Sequence, residues 1–124
     1  MSRKITIKAG KVVAQAELND TATAALIWEK LPIEARASLW GEEIYFSIPV
    51  ADKLDQGKEE VNIGDLGYWP EGQAFCIFFG PTPISSAGVI KPASAVNIVG
   101  CVIGDATVFK AVKSREKIIL KKGE

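Results

Sequence analysis

The chain contains no histidine, and this absence excludes more chemistry than any other feature of its composition. Without an imidazole there is no Ser/His/Asp or Cys/His catalytic arrangement, no histidine acid–base step and no histidine-ligated zinc site. Any catalysis must therefore use carboxylates, arginine, lysine, tyrosine or backbone geometry. The two cysteines are far apart and the carboxylates are scattered, so we expect no metal site and no cofactor.

The sequence also lacks an excess of charge of either sign, with 15 Lys and Arg against 15 Asp and Glu. A nucleic-acid partner usually requires a basic surplus on one face, and the closing Lys121-Lys122 pair is too short to supply it. No apolar run approaches the roughly 20 residues of a membrane span, and the first residues lead into no signal-like segment. We therefore expect a cytoplasmic protein that binds neither nucleic acid nor membranes.

Cysteine is scarce, with only Cys76 and Cys101 in the chain. Each lies inside an apolar run, FCIFF and VGCVIG respectively. Free cysteine is among the most buried residue types, and a reducing compartment disfavours disulfides. The prediction is two reduced thiols in the core.

What is present is the composition of one globular domain, residues 1–124, with 48% hydrophobic and 24% charged residues. Alternating patterns and turn residues predict seven or eight short strands, among them residues 12–18, 44–48, 74–79, 95–103 and 117–121. One helix is predicted to begin at Asn19 or Asp20 and to stop near Leu31, and a second to begin at Asp105. So many strands usually close into a barrel or a sandwich, and two helices would then cover the ends of a barrel.

The run AFCIFF is a strand whose alternate residues must face opposite sides. We predict that Ala74, Cys76 and Phe78 share one face, and that Phe75, Ile77 and Phe79 share the other. One face should line the barrel core, and the other should pack under a helix or form the floor of a groove.

Two adjacent carboxylates, Glu42 and Glu43, precede an aromatic strand. Acid–base catalysis would require burial to raise the pKa of one of these carboxyl groups. The side chains of a hairpin turn are normally exposed to solvent. We interpret both as solvated turn charges, with Glu42 as the one that could reach a groove.

The motifs QAFCIFFGPTP, VNIVGCVIGDATVFKAV and EKIIL resemble the C-terminal half of cyclophilins. Over nearly the whole chain, WGEEIYFSIPV, GDLGYWPEGQAFCIFFGPTP and PASAVNIVG are similar to a family of small, uncharacterised prokaryotic proteins with a cyclophilin-like fold. The resemblance implies a mostly β protein, a closed eight-stranded β-barrel with two helices capping its ends.

Cyclophilins isomerise prolyl peptide bonds with an arginine on a central strand, and the resemblance places Ser47 at that position. The groove histidine of cyclophilins has no counterpart here. The resemblance therefore implies an aromatic groove that binds a small molecule or a proline-containing peptide without the standard chemistry. The ligand-binding residues expected in it are Tyr45, Ser47, Trp69, Gln73, Phe75 and Thr82.

Two alternatives stay open. One is a weak or atypical peptidyl-prolyl cis-trans isomerase that uses Gln73, backbone groups and desolvation in place of arginine. The other is an interaction role, in which an apolar patch pairs two copies into a homodimer or docks another partner. For Thr82, a hydrogen bond within its own turn competes with a contact to a ligand.

Overall fold

The computed structural model describes residues 3–123, and the protein is mostly β. The described strands are β1 (Arg3–Ala9), β2 (Val12–Leu18), β3 (Ile33–Arg36), β4 (Ser38–Leu39), β5 (Glu43–Ser47), β6 (Asp65–Trp69), β7 (Ala74–Phe78), β8 (Asn97–Ile103) and β9 (Lys117–Lys122). The helices are α1 (Ala22–Lys30) and two 3₁₀ helices, Pro70–Gly72 and Ala106–Ala111. Within residues 3–123, no helix has the length and apolar character needed to cross a membrane.

All nine strands form one sheet in the order β3-β9-β1-β2-β8-β6-β7-β5-β4. The two outermost strands, β3 and β4, are neighbours in sequence, with only Ala37 between them. Ala37 donates its N–H to the Glu116 carbonyl at 2.8 Å and accepts from the Arg115 N–H at 2.7 Å. One extended segment therefore pairs with β9 through its first half and with β5 through its second half, which closes the barrel.

This division at Ala37 explains why the strand count is nine rather than the predicted eight. The predicted mostly β barrel is confirmed, because β3 and β4 together occupy the place of one strand. Closure leaves the sheet without a long exposed edge.

The helices cover opposite ends of the barrel, as predicted. Helix α1 follows β2, and the 3₁₀ helix Ala106–Ala111 follows β8. Strands β2 and β8 are antiparallel neighbours with Leu18 opposite Gly100, so their C-terminal ends point in opposite directions. Each helix buries apolar residues in the main core, Ile27 from α1 and Phe109 from the 3₁₀ helix.

The predicted N-terminal caps were right at one helix and wrong by one residue at the other. Asp105 caps its helix by accepting from the Thr107 N–H at 2.9 Å. At α1, the cap is Thr21, whose hydroxyl accepts from the Ala24 N–H at 3.2 Å. Asn19 supports the cap from outside the helix, because its carboxamide oxygen accepts from the Thr21 hydroxyl at 2.7 Å.

Strand β7 carries two separate apolar clusters on its two faces, as its alternation predicts. The inward residues Phe75 and Ile77 belong to the main core of the barrel. The outward residues Cys76 and Phe78 belong to a second cluster with Val61, Ile90 and Val96. Residues from the long connections before β6 and before β8 therefore cover the outer face of this strand.

The two cysteines differ in environment, which corrects one prediction. Both are free thiols, but only Cys76 is buried, whereas Cys101 is exposed. Cys101 lies on β8 between two buried neighbours, Gly100 and Val102. Its position in the alternation turns it outward where no connection covers the strand, so the prediction of a core thiol was wrong for Cys101.

Candidate functional site

A pocket of about 230 Å³ opens on the outer face of the barrel over β5, β6 and β7. We call it the Glu43 pocket. Its lining combines three aromatic rings, one carboxyl group, one thiol and a short apolar segment: Trp40, Tyr45, Trp69, Glu43, Cys76, Pro92, Ala93 and Val96.

The pocket floor follows from strand alternation and register. Glu43 and Tyr45 are two residues apart on β5, so their side chains share its outer face. Tyr45 lies opposite Cys76 on β7, and Cys76 lies opposite Gly67 on β6. Trp69 follows Gly67 by two residues and faces the same side. Three neighbouring strands thus present their outward side chains to one place.

Gly67 leaves the space in which the covering segment approaches the floor. A β-carbon at this position would lie 3.1 Å from Val96 Cγ2 and 3.2 Å from Phe78 Cε2. A larger side chain would push Val96 away from the sheet. The absence of a side chain at Gly67 therefore positions one wall of the pocket.

The segment Pro92–Val96 is fixed in place at its middle residue, Ser94, and at its last residue, Val96. The Trp69 indole N–H donates to the Ser94 hydroxyl at 2.6 Å. Val96 and Lys58 exchange two backbone hydrogen bonds, of 2.7 and 3.0 Å. Because these bonds connect the segment to the sheet and to the preceding connection, the wall is present before any ligand arrives.

Glu43 is the buried acidic residue of the pocket, with 5% of its surface exposed. Burial raises the pKa of its carboxyl group to about 7, and the adjacent Cys76 thiol opposes part of this shift. A thiol is a weak donor. The hydrogen bond that the structure gives this thiol goes to the Ala74 carbonyl, at 4.0 Å. The carboxyl group therefore retains capacity for a stronger donor from a ligand.

The interpretation of Glu43 as a solvated turn charge was wrong. The turn ends one residue earlier than its composition indicates, with Trp40 and Glu43 exchanging backbone hydrogen bonds, and Glu43 already opens β5. Glu42 is the residue at the surface, where it forms a 3.6 Å ion pair with Lys110. The sequence did contain one indication that Glu43 belongs to the pocket. It lies two residues before Tyr45, so strand alternation puts both side chains on the same face of β5.

Cys76 forms part of the pocket floor, and its thiol is held in the protonated form. Burial raises the pKa of its thiol well above the ordinary value, and the neighbouring Glu43 carboxylate raises it further. Since the thiolate is the reactive form, a thiol held protonated in this way is inert near neutral pH. In the same pocket, a carboxyl group whose pKa is about 7 can take up or release a proton near neutrality.

A second, more open hollow of about 420 Å³ adjoins the Glu43 pocket and shares Tyr45 and Trp69 with it. Ser47 and Arg36 lie at its border. The Arg36 guanidinium donates to the Arg115 carbonyl at 3.4 Å. The hollow is thus a polar extension of the aromatic surface.

The structure brings together three of the six residues predicted to bind a ligand. Tyr45 and Trp69 line both cavities, and Ser47 lines the hollow. Gln73 is exposed in the turn before β7, with a left-handed φ of 46°, and its carbonyl accepts from the Ile48 N–H at 2.9 Å.

Phe75 and Thr82 lie elsewhere. Phe75 is 0% exposed inside the barrel, with its ring centroid 5.6 Å from that of Phe46. It faces away from Tyr45, so it cannot form the floor of the outer pocket. Thr82 is buried in its loop, where its hydroxyl bonds to the Ser85 hydroxyl at 2.9 Å and to the Lys91 carbonyl. This bonding is that of a turn residue.

No cluster of three or more His, Cys, Asp or Glu side chains that could hold a metal ion occurs within residues 3–123. The titratable groups that line the Glu43 pocket are a carboxyl group, a phenol and a protonated thiol.

A closed barrel with helices at both ends and a pocket on the outer face of its central strands defines the class of the protein. The chain belongs to the cyclophilin-like family, whose family model matches residues 3–121. It is similar to a hypothetical protein from Archaeoglobus fulgidus, known from a solution structure, with 34% sequence identity and a TM-score of 0.83. The similarity covers 98% of this chain and 95% of the archaeal one. The comparison with curated proteins gave no significant match.

Proposed function

We propose that the protein binds a small molecule, or one side chain of a short peptide, in the Glu43 pocket. The observation that carries this proposal is a concave, aromatic-lined site with a single buried carboxyl group at its floor. Binding sites are typically concave and mostly apolar, with a few polar groups that orient the ligand. Their volumes for drug-sized ligands are about 300–1,000 Å³. A pocket of about 230 Å³ is suited to a single ring or a short chain.

The walls favour binding because they are already ordered. The Trp69–Ser94 bond and the Lys58–Val96 backbone pair hold the covering segment against the sheet. A ligand then loses less free energy to ordering of the protein than it would at a mobile loop. Aromatic rings add a large contact area for a fragment-sized ligand.

The proposal is tested by titrating the ¹⁵N-labelled protein with small aromatic and aliphatic fragments. Fragments that bind should shift the amide resonances of Glu43, Cys76 and Val96 and the indole N–H of Trp69. Tyr45→Leu, which removes one aromatic wall, should weaken such a fragment by about tenfold, the equivalent of roughly 1.4 kcal/mol.

Ser47→Ala is the matched control, because Ser47 shares the outer face of β5 with Tyr45 but borders only the hollow. Its affinity for the same fragment should stay within about twofold of the wild type, a small change in free energy. Resonance shifts that cluster away from the Glu43 pocket, or an equal loss in both variants, would remove the proposal.

Prolyl isomerase activity of the cyclophilin type is not expected. None of the residues that line the Glu43 pocket is an arginine, and Arg36 borders the neighbouring hollow instead. Preorganised charged donors are a major source of rate enhancement, so their absence removes most of it. In a protease-coupled assay with a proline peptide, the rate should equal that of the uncatalysed reaction. An acceleration that grows with protein concentration, and that Arg36→Ala abolishes, would contradict this expectation.

A further inference from the structure

We infer that the Glu43 pocket selects a compact organic cation, a guanidinium or ammonium group carried on a short apolar body. The inference rests on the proposed function and names the class of ligand that the site takes. It depends on the pairing of a buried carboxyl group with three aromatic rings in one cavity.

The carboxyl group of Glu43 is the polar group in the pocket that most needs a partner. The Cys76 thiol beside it donates to the Ala74 carbonyl at 4.0 Å, and no lysine or arginine lines the cavity. The indole N–H of Trp69 is already used by Ser94. A buried carboxylate is costly unless it is paired and hydrogen-bonded. A ligand that brings N–H donors and a positive charge would supply both.

The aromatic rings favour the same kind of ligand. Trp40, Tyr45 and Trp69 surround the site, and the face of an aromatic ring attracts a cation electrostatically. This attraction is larger where water is excluded. An anionic ligand would meet repulsion from Glu43, and a neutral apolar ligand would leave the carboxyl group without a donor.

The size of the cavity limits the cation to one planar group with a few carbon atoms or one ring. At about 230 Å³, the pocket is below the range of pockets that enclose drug-sized ligands. Both a free small guanidine or amine and the side chain of an arginine or lysine in a peptide meet this limit. Their shared chemistry is a nitrogen cation at the end of an apolar stem.

Binding of such a cation should depend on pH in a defined direction. The titratable groups lining the pocket are Glu43, Tyr45 and Cys76, and of these Glu43 titrates near neutrality, with its pKa at about 7. The cation binds the ionised carboxylate, so protons compete with it below that pH. Affinity should rise with pH through 7 and then level off, falling by about tenfold per pH unit on the acid side. A guanidinium ligand keeps its own charge throughout this range.

The test compares cations with neutral molecules of the same shape. Butylguanidinium and benzylguanidinium are titrated beside butylurea and benzylurea, with binding located by amide shifts at about pH 8. The wild type should prefer each guanidinium over its urea by about 10- to 100-fold, the range expected of a charge-assisted hydrogen bond. Glu43→Gln should lose that preference while still binding the ureas, and Glu42→Gln, an identical charge change next to it, should keep it.

The outcomes separate this inference from the proposed function. Equal affinities for guanidinium and urea in the wild-type pocket would overturn the cation inference and leave the pocket as a general binding site. If neither kind of probe shifted resonances around the pocket, both proposals would fall. A preference that persisted in Glu43→Gln would also overturn the inference, since the charge of Glu43 would then not be its cause.

A last arm distinguishes the two sources of the cation. The peptide acetyl-Gly-Arg-Gly-amide is compared with free butylguanidinium at the same pH. If the peptide binds at least as tightly, the pocket accepts a side chain from a chain that continues in both directions. If the peptide is excluded while butylguanidinium binds, the pocket takes a free small molecule. Either result supports the inference of a cationic ligand. If neither the peptide nor butylguanidinium binds, the inference is overturned.

Discussion

The Glu43→Gln variant is expected to be more stable than the wild-type protein at about pH 8, and close to it in stability at about pH 5. In the unfolded chain, the carboxyl group of Glu43 releases its proton near its ordinary pKa of 4.5, whereas in the folded protein burial delays release to about pH 7. Between these values the folded state holds more protons than the unfolded state. Stability therefore falls as pH rises through this window. The loss in the wild type should approach about 3 kcal/mol.

The composition of the chain makes the pH dependence of this stability difference simple to interpret. With no histidine, no other side chain has an ordinary pKa between those of the carboxylates and the thiols. Urea unfolding of the wild type and of Glu43→Gln at several pH values gives the difference directly.

Glu42→Gln is the control, since it makes the same charge change at a half-exposed position paired with Lys110. Its stability should follow that of the wild type within about 0.5 kcal/mol across the range. Parallel pH profiles for the wild type and Glu43→Gln would mean that Glu43 ionises normally and is not desolvated.

The Phe75→Ala variant is expected to lose about 3–5 kcal/mol of stability, the usual cost of removing a fully buried aromatic ring. Phe75 is 0% exposed in the barrel core and packs against Phe46. A loss of this size is a large share of the total stability of a domain. It is measured as the free energy of unfolding in urea at one pH.

The Phe75→Leu variant separates a role in the core from a role in binding. It keeps an apolar side chain in the barrel, so it should remain folded, and its affinity for a fragment in the Glu43 pocket should stay within about twofold of the wild type. Ser47→Ala, exposed on the neighbouring strand, should change stability by less than about 0.5 kcal/mol. If folded Phe75→Leu lost fragment binding, the result would show that Phe75 contributes to the binding site and contradict its assignment to the core.

Much of the barrel could be predicted from local patterns. The alternation within AFCIFF assigned Phe75 and Phe78 to opposite faces, and the structure places them in separate clusters. The division of one segment at Ala37 was beyond such a pattern, because it depends on hydrogen bonds to residues 115 and 116, almost eighty positions away.

The site was predicted in part, for a physical reason. Tyr45 and Trp69 were found because aromatic residues on outward strand positions are visible in the sequence. Glu43 was missed because a carboxylate beside a turn is normally solvated. Its burial depends on the segment Pro92–Val96, which folds over the strand from about fifty residues further along the chain. A local sequence pattern cannot show that a distant segment will cover a residue.

The same limit applies to the cysteines. Cys76 and Cys101 both lie in apolar runs, yet only Cys76 lies at a position where other residues cover the outer face of its strand. Hydrophobic sequence context predicts a strand, whereas the burial of one outward residue depends on which connection crosses it.

The most direct test of the pocket is the pH titration of the Glu43 carboxyl carbon by ¹³C NMR, with the resonance assigned by its absence in Glu43→Gln. The burial of Glu43 in an aromatic-lined pocket predicts a midpoint at about pH 7 in the free protein. It also predicts that saturating butylguanidinium lowers that midpoint, because the cation stabilises the ionised form. A midpoint close to 4.5, unchanged by the cation, would contradict both the burial of this carboxyl group and its role in binding.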